Sequence, residues 1–458
     1  MAYRVVPFVL VVLTVCLGCQ SLPNAHSSSY ARIKHELDAV AIIDTHDHLW
    51  PFELLPGFAE TDQGWGMNLA GLWRNSYFTW TNQLTPYGPK QPFAEWWAQA
   101  KNDFDNSRGM SVYRYMLPAF EDLYGIDFDR ITDEQAQSLN ARIFDNYKDQ
   151  RWLRHVVTER ANIELMFNDP YWARFKFETY YPFEVLVFNV TTLTRGFNPT
   201  EFNNPNDSPF AFAKDAGLPV KTLDDYLVVL DRLFVRAKTA GAVCLKTTIA
   251  YERSLQFENV PRENAEAAFG KVRGELTADQ IRAFEDFIMW RLVELSAKHE
   301  LPFQIHTGDA RIQGSNPMLI VDLIQANPKT KFILFHGGYP WIGETGAIMM
   351  RHGSHVWIDS CWLPTIDYTM AKRAYQEWID VMPSDRIMWG ADVNHAEGIY
   401  GATEFARRCI AEALSEKVDG AELTEAQAIR IGRQILRDNA LKLFPQLEAR
   451  LWKDKSAS

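Results

Sequence analysis

Eight short apolar runs set the pattern of this chain, at residues 40–45, 163–167, 183–190, 242–248, 302–307, 332–336, 355–360 and 386–391. Runs of that length read as buried strands. Between most of them lie amphipathic stretches with helical periodicity, at 223–239, 277–299, 317–326, 368–381 and 404–413. Strands alternating with helices build parallel βαβ units. Eight such units close into a (β/α)8 TIM barrel, so the expected fold class is α/β. A short helix at 30–40 would feed the first strand, and a helix at about 424–443 would complete the outer ring. The length of 458 residues suits one barrel with an insertion, since α/β barrels run long as single domains.

The insertion is placed at 50–160, between the first and second strands. It shows no barrel strand, carries helical patterns at 111–124 and 132–147, and holds Trp65, Trp73, Trp80, Trp96 and Trp97 among prolines and glycines. A segment leaving directly after the first strand is expected to cover the barrel mouth. Its aromatic side chains would either wall the pocket or pack on one another.

Barrel enzymes place their chemistry at the C-terminal ends of the strands. The first strand ends in Asp44-Thr45-His46-Asp47-His48. Side chains alternate along a strand, so His46 and His48 share a side and can ligate one ion from a rigid support. The fourth strand ends near Lys246, the fifth in His306-Thr307-Gly308, the sixth in His336-Gly337-Gly338 and the eighth in Gly390-Ala391-Asp392. One histidine at a strand end is usually structural. Four histidines and an aspartate, all at strand ends, point to a site, and three histidines with one carboxylate suit a divalent ion such as zinc. His395, Tyr339 and Trp362 fall on loops expected to face the mouth. His26, His35, His155, His299, His352 and His355 lie off the strand ends and read as structural or exposed.

These motifs resemble the amidohydrolase superfamily over roughly residues 40 to 445. The similarity is greatest to the branch that includes aminocarboxymuconate-semialdehyde decarboxylase. The resemblance implies that His46, His48, His306 and Asp392 hold the metal and that His336 acts beside it as acid or base. Asp392 would also take a hydrogen bond from the attacking water. A zinc-bound water becomes acidic near neutral pH and can attack a carbonyl, and histidine titrates in the same range. The expected activity is therefore hydrolysis of a C–N or C–O bond at a carbonyl of a small carboxylated substrate. Decarboxylation and sugar-acid isomerisation stay open on the same scaffold. The segment from His306 to Arg311, followed by Asn316-Pro317-Met318, is also similar to uronate isomerases. A catalytically silent surface binding protein is the third reading.

Lys246 has three roles open to it, the plainest being a barrel-interior lysine paired with a carboxylate. In two-metal members of the superfamily a fourth-strand lysine carrying added carbon dioxide bridges the ions. Resemblance to the single-metal branch favours one zinc and an unmodified lysine that meets an anionic substrate. Arg311 could grip a substrate carboxylate as a bidentate fork.

The net charge of −11 argues against nucleic acid as a partner; self-association stays open. At the N-terminus, Arg4 precedes an apolar run from Val5 to Leu17, shorter than the ~20 residues of a membrane span and suited to a signal peptide. Cys16-Leu17-Gly18-Cys19 resembles a bacterial lipoprotein cleavage box, with residues up to 29 as a tether. The expectation is export to the periplasm or cell surface, with a lipid at Cys19 as the contact with the membrane. Cys244, Cys361 and Cys409 then remain, too few for a disulfide framework.

Overall fold

The computed structural model describes residues 27–81 and 83–451. Eight parallel strands form one sheet in sequential order. They are β1 (Ile42–Asp47), β2 (Ile163–Asn168), β3 (Glu184–Asn189), β4 (Cys244–Thr247), β5 (Phe303–Ile305), β6 (Phe332–Leu334), β7 (Val356–Asp359) and β8 (Ile387–Met388). Backbone bonds beyond the last ladder draw the ring shut. Thr45 donates its N–H to Trp389 (3.2 Å), Asp392 to His46 (2.9 Å) and His48 to Val393 (3.1 Å). The fold is the TIM barrel anticipated from the strand pattern.

Alternation along the strands sorts the apolar side chains into two layers. Ile43, Leu165, Val187, Ile333 and Met388 cluster together within the ring. Ile42, Met166, Phe188, Phe303, Leu334 and Ile358 pack beneath the helices. Ala440, Leu443 and Phe444 from the C-terminal segment join the inner cluster, and the Phe167 and Phe444 rings lie 5.0 Å apart. They close the end of the barrel away from the histidines.

The helices Leu223–Thr239 and Tyr368–Val381 match their expected bounds. The helix expected at 404–413 is far longer, Ala396–Asp419. The C-terminal helix is interrupted by a π-helical turn at Gln434–Asp438. The N-terminal helix starts at Ser28 because the Ser27 hydroxyl caps it, accepting the Tyr30 N–H. Between β1 and β2 lie a short antiparallel hairpin, Ala59–Thr61 with Gly64–Gly66, and a series of helices. Trp73 and Trp96 are fully buried there, Trp73 against Phe78, Phe104, Tyr113 and Phe128, and Trp96 against Tyr87, Phe93 and Trp97. Those tryptophans serve packing, whereas Trp80 stays exposed. No helix among the described residues is long and apolar enough to cross a membrane. The leader and Cys19 lie outside the described residues.

Candidate metal centre

The mouth is assembled on the seam between β1 and β8. Two carboxyl groups of β1 hold that seam. Asp44 accepts the backbone N–H groups of His46 and Ala391, each at 3.1 Å. Asp47 accepts that of Val393 at 2.6 Å. Both are fully buried. Burial raises Asp44 to about 7, against the two backbone N–H groups it accepts, while burial and then the Asp44 charge push Asp47 well above the usual carboxylate range. Gly390 is required here, because a Cβ at that position would sit 2.7 Å from the His46 nitrogen.

Above the seam, His46 Nε2 and His48 Nε2 converge on Asp392 Oδ1, at 3.9 and 3.1 Å. His48 Nδ1 donates to the Asp169 carbonyl at 3.0 Å, and in the protonated ring Nε2 donates to Asp392. Asp169 is fixed in turn by two bonds from the Asn189 amide, 3.1 and 2.9 Å. Burial alone would raise the Asp392 carboxyl; the hydrogen bond from His48 and the charges of His48, His46 and His336 outweigh it and hold it well below the usual range. His48 responds in the opposite sense, raised by Asp392 against the effect of burial.

Lys246 is buried and places Nζ 3.1 Å from His46 Nε2 and 3.8 Å from the Phe335 ring centre. Its ammonium sits on the lone pair of His46. Burial and that cation hold His46 well below its ordinary value. His306 turns the other way. Its Nε2 donates to the Gly308 carbonyl (3.1 Å), and its Nδ1 faces His336 Nε2 at 2.8 Å. His336 reaches Asp392 Oδ2 only at 3.9 Å. Burial, then Lys246, lowers His336 to about 3, so it is a neutral imidazole at physiological pH. His306 is lowered as well, by burial and then by His336.

The structure thus brings His46, His48 and Asp392 together, attaches His336 through Asp392, and attaches His306 through His336. Two donor groups lie close enough to share an ion: His46, His48 and Asp169, and His336, Cys361 and Asp392. Arg311 is exposed and donates to the Glu252 carbonyl at 2.6 Å. His395 is buried and caps the helix that begins at Ala396, its Nδ1 accepting the Gly398 N–H at 3.0 Å. Trp362 borders His336, with ring centres 5.2 Å apart. His336, Trp362 and Asp392 all adopt left-handed φ, at +61°, +67° and +59°. That conformation is uncommon for non-glycine residues, and these three occur together at the mouth.

A cavity of about 260 Å³ opens from His48 and Asp392. Its wall comes from the segment after β1: Arg74, Asn75, Tyr77 and Trp80, with Tyr171 and Asn394. The Tyr77 hydroxyl donates to the Asp392 carbonyl. Asn75 and Asn394 exchange bonds of 2.6 and 3.3 Å. Asp44, Asp47, Asp169, Cys361, Tyr77 and Arg74 were not singled out from sequence. The aspartates were visible as polar residues in and after strands; nothing local marked Arg74.

Residues 196–446 match the family model described as amidohydrolase, more than half of the chain and all of β4 to β8. The chain belongs to the amidohydrolase family. Among curated proteins, this amidohydrolase is 26% identical over 149 residues to the protein fluG of Emericella nidulans. That alignment covers 31% of this chain and spans only 17% of fluG. Among solved structures, the uronate isomerase of Thermotoga maritima superposes with a TM-score of 0.68 at 15% identity, covering 91% of this chain and 97% of that one. The glucuronate isomerase of Caulobacter crescentus gives 0.69 at 14%, covering 92% and 94%. A protein of Lactobacillus casei described as a metal-dependent hydrolase gives 0.62 at 17%, covering 92% and 99%. At these identities the superpositions establish a common fold.

Proposed function

We propose that this amidohydrolase is a metal-dependent hydrolase that opens a C–N or C–O bond at the carbonyl of a small carboxylated substrate. The observation that carries the proposal is the convergence of His46 Nε2 and His48 Nε2 on Asp392 Oδ1. Two imidazole nitrogens, 3.9 and 3.1 Å from one carboxylate oxygen, are donors of the kind that suit one divalent ion, zinc by the donor types. When bound, such an ion would supply Lewis acidity and a more acidic water.

The chain's own residues do the rest. Asp392 accepts a proton or hydrogen bond at the carboxyl oxygen turned to the cavity. His336 enters as a neutral imidazole, positioned by His306, and moves a proton at the nitrogen nearest Asp392. Lys246, unmodified, offsets the charge of Asp392 from its place beside His46. Tyr77 fixes the Asp392 backbone from above, and the rest of the 50–160 segment keeps bulk water from that side.

A second reading, sugar-acid isomerisation on the same residues, is favoured by full-length superposition on two structures named uronate and glucuronate isomerase. Metal analysis with a substrate panel separates the readings. We expect about one zinc per chain, and turnover on carboxylated lactones or amides. Conversion of glucuronate to a ketose without hydrolysis of any panel member would select the isomerase. Protein that purifies without metal and stays inert after zinc or manganese is added would overturn both. His336→Asn should keep the metal and lose ~10²–10⁴ in rate.

A further inference from the structure

Among the described residues, the cavity wall holds a cation without a partner. The rest of segment 74–80 is fixed by polar contacts. The Ser76 hydroxyl donates to the Trp73 carbonyl (2.8 Å), and that of Thr79 reaches the carbonyls of Ser76 (3.1 Å) and Arg74 (3.3 Å). Asn75 is paired with Asn394, and Tyr77 with the Asp392 carbonyl. The guanidinium of Arg74 makes no hydrogen bond or ion pair among the described residues, although Arg74 borders the same cavity as His48 and Asp392.

The neighbouring cations are occupied. Lys246 faces His46 and the Phe335 ring. Arg174 is paired with Asp207 at 2.8 Å and with Asn189 at 3.0 Å. Arg311 is bonded to the Glu252 carbonyl. The anion left in the cavity, Asp392, is already met by His48.

We propose that Arg74 is the anion-binding residue of this site, gripping the carboxylate of the substrate as a bidentate fork while the reacting group lies over His48 and Asp392. A planar guanidinium matches a carboxylate with two parallel N–H bonds, and a free one in a concave wall keeps that capacity for a ligand. The bonds that fix residues 75–79 hold the end of the helix Leu69–Arg74 against the loop carrying Asp392. Distance from anion to reacting centre is thereby set by the protein, not by the ligand. This subsite lies in the segment after β1, outside the barrel strands, and it replaces Arg311 in the role given to it from sequence. The proposal rests on reading the mouth as the substrate site.

Calorimetric titration of the full chain, with metal content measured on the same sample, tests it. The probes are D-glucuronate, glutarate and benzoate, with D-glucuronamide, glutaramide and benzamide as uncharged counterparts. We expect at least one acid to bind the wild type more tightly than its amide. Arg74→Gln should weaken that acid by roughly 10- to 100-fold, the range for a hydrogen bond to a charged group. It should leave amide binding and metal content unchanged, and Arg74→Lys should recover part of the loss. Arg74 is exposed at a helix end, so neither variant threatens folding. Equal binding of the acids by Arg74→Gln and wild type overturns the proposal, as does a wild type that prefers no acid over its amide. Absence of metal from the wild type would instead sink the metal reading, and the acid–amide difference would remain measurable.

Discussion

The strand ends and the segment 74–80 face one cavity but differ in burial and in pairing. At the strand ends His46, Lys246 and His336 are buried, and each is held by another polar group of the site. In the wall Arg74 and Trp80 are exposed, and the guanidinium stands free among the described residues. Groups that shift one another's protonation must be desolvated and rigid, and strand ends provide that. A group that recognises must keep its bonding capacity for the ligand. On the reading proposed above, chemistry and recognition come from different parts of the chain, and substitutions should separate them.

Asp392→Asn should show the largest effect. It removes the anion on which His46 and His48 converge, and metal affinity should fall by more than ~100-fold, beyond what loss of an outer partner costs. Metal retained at wild-type stoichiometry would mean that Asp169 supplies the carboxylate instead. Arg74→Gln, in the wall, should leave the metal in place.

Next comes the anchor of the wall. Glu397, at the start of the helix Ala396–Asp419, accepts the hydroxyls of Tyr124 and Tyr147, each at 2.6 Å, and the Trp152 indole at 3.0 Å. All three donors belong to the region between β1 and β2. Glu397→Ala would leave them without that acceptor, at a cost of about 3 kcal/mol or more, since each unmet buried donor costs ~1–3 kcal/mol. Denaturant unfolding should show the loss, with faster proteolysis inside 50–160. An unchanged midpoint would mean that the wall is held by its aromatic packing alone.

The smallest effect is pH-dependent. Burial lowers His395 to about 3, and its Nδ1 accepts the Gly398 N–H, which requires the neutral ring. A histidine depressed in the folded state contributes stability above its unfolded value of ~6.5 that is lost as pH falls toward 3. Between pH 6.5 and 4.5 the loss should be about 2 to 3 kcal/mol. His395→Asn keeps a helix cap but does not titrate, so its unfolding midpoint should decline less over that window. Parallel declines would show that other groups dominate the acid limb.

The comparison also explains what the sequence could reveal. Strand ends were legible because β-strand alternation and metal chemistry both restrict residue type, and His46, His48 and Asp392 met those restrictions. Helix 223–239 was legible in both bounds because Thr222 and Asp225 form a capping box at its start. Helix Ala396–Asp419 was read eight residues late. Gly398 and Gly401 interrupt its apolar period, yet Gly401 is there because a Cβ would lie 2.1 Å from the Tyr115 carbonyl. The glycine marks a close approach of the inserted segment, not a break. β8 was read as 386–391, but its ladder to β7 ends at Met388, and from Trp389 onward the backbone bonds to β1. Arg74 left no signal, since an unpaired surface arginine is defined by what surrounds it in space.

The bonds joining His46 to Asp392 and His48 to Val393 have a consequence for the order of events in synthesis. They finish the ring and, in the same act, set the proposed donors side by side. His46 and His48 leave the ribosome early; Asp392 follows only after nearly all of the barrel has been made. The nascent chain therefore carries two histidines with no carboxylate from β8 to answer them until its last strand arrives. A product truncated before residue 392 would lack both an intact ring and a complete donor set. If those donors hold the ion as proposed, metal uptake would report on whether the barrel has been finished, and an ion added during refolding should be captured in step with closure of the seam, not before it.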